Sequence, residues 1–144
     1  FSAHPREYYE KLLNFFPKDG VVRVDLLITY QAEMPIAGAI ILSHGQSAYY
    51  LHGASDYSQR ALMAPYKLHW EVIKKLQWAS LQSSAKMPIV KGYDLWGIDA
   101  HRWSGVTSFK LGWGGQVIEH SGSFDLPISS LWYTIYKLAR KLNK

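Results

Sequence analysis

The chain reads as an α/β domain, a mixed and mostly antiparallel sheet with helices on both faces. Three observations predict this. Between Val22 and Gly53, three strand-like segments follow one another across short turns, the pattern of an antiparallel meander. A helical period takes over from Pro65, and another strand-like segment follows at Tyr93 to Trp96, so the fourth strand returns parallel to the third by a right-handed crossover. The 144 residues, 48% apolar and 19% charged, have a globular balance. A chain of this size buries about two-thirds of its unfolded surface around one core. A single domain over residues 1–144 is expected.

In chain order, Pro5 suits the first turn of a helix, and Tyr9, Leu12, Leu13 and Phe16 repeat at helical spacing until Pro17 and Gly20 stop it. Val22, Val24, Leu26, Ile28 and Tyr30 alternate with Arg23 and Asp25, a strand with one wet face. Ile36 to Ser43 is apolar on both faces and reads as a central strand; His44-Gly45-Gln46 turns into a third strand, Ser47 to Gly53. The long helix from Pro65 sets Tyr66, His69, Trp70, Val72, Ile73 and Leu76 on one arc, with Ser83 and Ser84 ending it. Residues 97–105 are irregular, and a short helix around Val106 to Leu111 stops at Gly112. Gln116 to His120 reads as a strand. A last helix is capped by Ser129 or Ser130 and buries Leu131, Ile135, Leu138 and Leu142. The predicted order is α-βββ-α-β-α-β-α.

Composition excludes several chemistries. No cysteine means no disulfide scaffold, thiol nucleophile or zinc ribbon. The longest apolar run, Pro35 to Leu42, is far below the ~20 residues that cross a bilayer. With no signal peptide and no Met at the start, Phe1 reads as the cut end of a longer chain. The net charge of +5 is moderate, and the cations Lys137, Arg140, Lys141 and Lys144 suit a helix C-terminus. The six histidines show no metal-ligand spacing, so no metal is expected. His69, inside an apolar stripe, reads as a packed, hydrogen-bonded residue. No serine elbow, Walker loop or GxGxxG is present. The load of six Trp and ten Tyr suits either a half-wet ligand cleft or an aromatic core.

Two stretches carry more. Tyr49 to Ser55 leads through Tyr57 and Arg60 to the start of the long helix, where amides and a guanidinium can meet an anion. Phe109-Lys110-Leu111-Gly112-Trp113-Gly114-Gly115 sets a lone Lys before a glycine-rich turn, which fits close backbone approach or a simple helix cap.

Taken in order, Tyr50-Leu51-His52-Gly53-Ala54-Ser55, Met63-Ala64-Pro65-Tyr66-Lys67-Leu68-His69-Trp70-Glu71, Tyr93-Asp94-Leu95-Trp96-Gly97-Ile98 and Phe109 to Gly115 resemble the second lobe of the Fem family. These are aminoacyl-tRNA-dependent transferases that build the interpeptide bridges of peptidoglycan. The likeness covers nearly the whole chain, with His69 where the family usually has Gln and Trp113 where it usually has Phe.

The resemblance implies a fold like the GNAT (acyl-CoA N-acyltransferase type) enzymes and a bacterial cytoplasmic protein at work near the inner membrane face. It implies aminoacyl-tRNA and a lipid-linked or nucleotide-linked muropeptide as partners, with a further lobe or a homodimer completing the cleft. By the same likeness Lys110 is the catalytic cation and Phe109 walls the channel; Arg60, Tyr50 and Tyr57 are offered, on their own chemistry, for phosphate and peptide contacts. Asp94 and Asp99 are candidate bases. No cofactor is expected: Ser58 to Ala64 lacks the glycines with which a backbone cradles the pyrophosphate of coenzyme A. Rival expectations are an acyl-CoA-dependent N-acyltransferase of the same fold and a non-catalytic binding half-domain, and a 144-residue piece alone is expected to fold without turning over.

Overall fold

The computed structural model describes residues 3–17, 20–81 and 90–142, which fall into two compact units, Phe1–Lys110 and Leu111–Lys144.

The first unit holds a four-stranded sheet in the order β1 (Val22–Gln31), β2 (Met34–His44), β3 (Ser47–Ser55), β4 (Gly92–Asp94). The first three strands are antiparallel and β3 pairs with β4 in parallel, as the change of period predicts. Tight turns set the meander: Ala32 and Gly45 both take positive φ, the backbone twist that two-residue hairpins need. Helix α1 (Arg6–Phe15) precedes the sheet, α2 (Ala64–Leu81) makes the crossover, and α3 (Ser104–Leu111) closes the unit. Ser83 and Ser84, expected to end α2, lie outside the described residues.

The core lies between β2 and α2. Ala37, Ala39 and Ile41 of the central strand meet Ala64, Leu68, Val72 and Leu76, an i+4 row along the helix. Trp70, placed by periodicity on the buried arc, is 52% exposed, because the row runs through Leu68 and Val72 on its other side. Helices sit on both faces. A bulge in β3 pairs Ile41 with Tyr50 but Ile40 with His52, skipping Leu51. Tyr50 therefore meets α2 through His69, while His52 meets α1 through the Tyr8 hydroxyl at 3.3 Å.

Strand β1 corrects the expected wet face. Leu27 packs against the core and Asp25 pairs with Lys75 of α2 at 3.5 Å, so α2 covers the row that carries the charges. Leu26, Ile28 and Tyr30, from the apolar row, are exposed. Alternation fixes which side chains share a face, not which face the helix takes; the Arg23–Asp25 pair at 2.9 Å makes the charged row tolerable beneath a helix that supplies its own lysine.

Four further expectations are corrected. Residues 116–120 form no strand, and Val117 and Ile118 are exposed; a strand-like run becomes a strand only where a neighbouring edge supplies the ladder. In the second unit, α4 (Ser130–Leu142) forms as predicted, yet Leu131, Ile135, Leu138 and Leu142 are exposed rather than buried. Residues 57–62, expected as loop, wind into a 3₁₀ helix whose first turn Asp56 caps through the Ser58 amide. The fourth strand ends at Asp94 instead of Trp96, because Trp96 turns to φ 66°.

Candidate active site

The middle of β3, the first two turns of α2, β4 and the last turn of α3 converge on one aromatic and polar cluster. Its fixed point is His69, 1% exposed. Its Nδ1 shares a hydrogen bond of 2.8 Å with the Tyr93 hydroxyl. The Tyr50 ring stands edge-on to the imidazole with centroids 4.4 Å apart, and Phe109 lies at 5.3 Å. Phe109 in turn meets Tyr66 edge-on at 4.8 Å.

Lys110 brings the charge. It occupies the last turn of α3, where a cation complements the helix dipole. Its Nζ donates to the Gly97 carbonyl at 2.7 Å and sits 5.8 Å from the centroid of the Tyr50 ring. Burial lowers the Lys110 pKa from the ordinary lysine value, and the Asp94 carboxylate opposes that shift. Burial first, then the Lys110 cation, pushes His69 down to about 4, so its imidazole is neutral at physiological pH. Burial also raises the Tyr50 and Tyr93 phenols, keeping both protonated.

The sequence-predicted residues divide. Lys110, Phe109 and Tyr50 are brought together. Arg60 and Tyr57 lie on the 3₁₀ helix, where the guanidinium stacks 4.7 Å over the Tyr57 ring and Nη1 donates to the Tyr57 carbonyl at 3.4 Å. Arg60 lines a cavity of about 160 Å³ with Asp56, Gln59, Pro65 and Tyr66. Tyr66 thus borders both places. Asp94 and Asp99 serve as turn acceptors. Asp94 Oδ1 takes the Trp96 amide at 2.6 Å, and Asp99 Oδ1 takes the amides of His101 and Arg102, each at 3.0 Å.

His69 and Tyr93 are the members that residue-type reasoning did not assign to the site. Their one sequence signal was a histidine in an apolar stripe, which periodicity reads as packing, and packed it is. The cluster also depends on a glycine. A Cβ at Gly53 would lie 1.7 Å from the Tyr50 hydroxyl, so only glycine there lets the ring fold back toward His69. Chemically the arrangement offers a cation in a partly dry aromatic wall. Among the described residues no group of three or more His, Asp or Glu could hold a metal ion.

The FemAB family model matches residues 24–141, from β1 to the last turn of α4. The chain belongs to the FemAB family. Over 119 residues it is 32% identical to the aminoacyltransferase FemA of Staphylococcus epidermidis, a match covering 78% of this chain and 26% of that protein. It is 27% identical over 126 residues to the lipid II:glycine glycyltransferase of Staphylococcus haemolyticus, covering 83% and 28%. With the glycyltransferase of the same name from Staphylococcus saprophyticus it shares 25% over 142 residues, covering 84% and 32%. The FemAB chain therefore spans only 26% to 32% of the length of these curated relatives. No solved structure matches it. No helix among the described residues is long and apolar enough to cross a membrane.

Proposed function

We propose that this FemAB chain is one lobe of an aminoacyltransferase. It would move an amino acid from aminoacyl-tRNA to an amine on the peptide stem of a peptidoglycan precursor, at the inner face of the membrane where a lipid-linked acceptor is presented. The relatives' names, aminoacyltransferase and lipid II:glycine glycyltransferase, support the reaction class. The observation that carries it is the Lys110 ammonium, held by the Gly97 carbonyl against the Tyr50 ring.

Such chemistry needs no enzyme nucleophile. The acyl group arrives as an activated ester, and the acceptor amine attacks its carbonyl. The new C–N bond forms, the C–O bond to ribose breaks, and the proton lost by nitrogen ends on the ribose oxygen. Lys110 stabilises the oxyanion or the departing alkoxide, and Phe109 and Tyr50 limit water around it. The other contribution is positioning, worth several kcal/mol when amine and ester are held in contact. A second lobe, or a second copy, completes the cleft around both substrates. Arg60, at the cavity it borders, and Tyr57, stacked against that guanidinium, contact phosphate or peptide.

An acyl-CoA-dependent transferase is the rival, and the 3₁₀ helix counts against it, since that segment has no glycine and its amides bond internally. A non-catalytic module is tested directly. In the full-length natural protein, Lys110→Met should slow single-turnover transfer from charged tRNA by ~10²-fold or more with the fold intact, the usual loss on removing one oxyanion-stabilising group. Transfer within a few-fold of the parent would make Lys110 a surface residue and the catalytic reading wrong.

A further inference from the structure

Trp96 sits in a conformation that its own chemistry disfavours. Its φ is 66°, the left-handed region that a bulky L-residue rarely adopts. A glycine stands next to it, yet Gly97 is not the residue that takes positive φ. Nor does burial offset the strain, because Trp96 is 58% exposed. The strained turn is held from both sides. Asp94 Oδ1 accepts the Trp96 amide at 2.6 Å, and Lys110 Nζ donates to the Gly97 carbonyl at 2.7 Å. The Tyr49 ring meets the indole edge-on, centroids 6.4 Å apart and planes at 71°. Strain that persists at an exposed position, over-determined by its neighbours, marks a site where the side chain is wanted in one place.

We propose that Trp96 is a stacking platform for a nucleobase, the adenine that ends the aminoacyl-tRNA. This rests on the proposed function. The acyl ester is carried by the ribose of that terminal nucleoside, so its base lies one sugar away from the reacting carbonyl. Trp96 lies one peptide away from the carbonyl that holds Lys110. A ring stacked on Trp96 would deliver the ester to the cation. The Tyr49 ring borders the indole edge, and Asp94 Oδ1 holds the Trp96 amide. Stacking tolerates any base, which suits a donor recognised by its end.

The test compares two short RNAs on the full-length natural protein, one ending in cytidine-cytidine-adenosine and one whose last nucleoside lacks its base. The wild type should prefer the complete RNA by ~10-fold, a usual effect of one aromatic–base stack. Trp96→Gly should remove that preference while its melting temperature holds or rises, because glycine accepts φ 66° without strain. Trp96→Phe should keep part of the preference. The proposal is overturned if the wild type shows no preference, if Trp96→Gly keeps it, or if Trp96→Gly melts early as a packing residue would. A loss confined to the disaccharide-bearing acceptor would also overturn it and make the platform one for a sugar. If Lys110→Met still abolishes transfer in any of these cases, the transferase reading stands and only the platform falls.

Discussion

His69 and Tyr93 share the 2.8 Å hydrogen bond that ties the second turn of α2 to the short parallel strand β4. β4 has only three residues, so its ladder to β3 is brief. The imidazole–phenol bond and the apolar contact of Tyr93 with the core do much of what a longer strand would do. The same imidazole is the wall against which Tyr50 and Phe109 rest, so the crossover and the candidate site share one support.

This arrangement has a pH signature. Burial and the Lys110 cation hold the folded pKa of His69 at about 4, against an ordinary value of 6.5. Between those values the unfolded chain binds more protons at this site, so stability rises with pH. The contribution is fully present above pH 6.5 and is lost as pH falls toward 4, on the order of 2–3 kcal/mol across the window. His69→Gln removes the titration and can keep a bond to Tyr93. Urea unfolding of both proteins at a series of pH values should show the wild type losing more stability on acidification than the variant. Parallel curves would mean that His69 titrates normally in the folded state.

Gly53 makes a second, steric prediction. An added Cβ there would clash with the Tyr50 hydroxyl and Cζ, so the ring must shift from the place where it stands edge-on to His69. Because φ at Gly53 is ordinary, Gly53→Ala costs no backbone strain, and the effect is read at the ring alone. Expected are a stability loss of about 1–3 kcal/mol from overpacking and a ~10-fold or greater fall in transfer by the full-length protein, as small misplacements near reacting atoms give. Tyr50→Phe with Gly53→Ala, which removes the closest atom, should recover part of the stability. An alanine variant with unchanged melting and transfer would show that Tyr50 has room to spare.

Much of the sheet was legible because its signals are local. The alternation in β1, the apolar run of β2 and the turn at Gly45 each involve a few adjacent residues, and the parallel return of β4 follows from a helix between strands. What could not be read depends on partners distant in sequence. Whether α2 covers the odd or even row of β1 is decided by Leu27 and by the Asp25–Lys75 pair, and alternation is blind to that choice. The 116–120 segment has a strand's composition without a strand's neighbour. The apolar stripe of α4 is a true stripe, but periodicity names the face and says nothing of what lies against it.

The site shows the same division. Lys110 and Phe109 follow from the Phe-Lys motif and Tyr50 from its chemistry, and the fold brings the three together from α3 and β3. Arg60 and Tyr57 were chosen for chemistry alone, and the 3₁₀ helix pairs them with each other. Trp96 was invisible as a site residue because its interest lies in a backbone angle, which composition does not report.

Acetyl-CoA should not bind this chain with useful affinity, and the start of α2 gives the reason in full. A pyrophosphate at a helix N-terminus needs backbone amides that point outward with no partner. Here the Ser58 amide donates to Asp56 Oδ1 at 2.9 Å, Gln59 to the Asp56 carbonyl at 3.1 Å, and Met63 to the Arg60 carbonyl at 3.1 Å. In the first turn of α2, Tyr66 and Lys67 both donate to the Met63 carbonyl, at 2.9 and 3.4 Å, and Pro65 has no amide hydrogen to give. Binding would require unwinding the 3₁₀ helix, and no glycine lies between Tyr57 and Pro65 to make the rearranged backbone easy. Arg60 remains a cation at the neighbouring cavity, yet one guanidinium stacked on Tyr57 does not replace a cradle of amides. Titration calorimetry with acetyl-CoA should therefore give no saturable heat in the micromolar range. A micromolar dissociation constant, weakened by Arg60→Ala, would instead show that the segment opens for a pyrophosphate and that the acyl donor is a thioester.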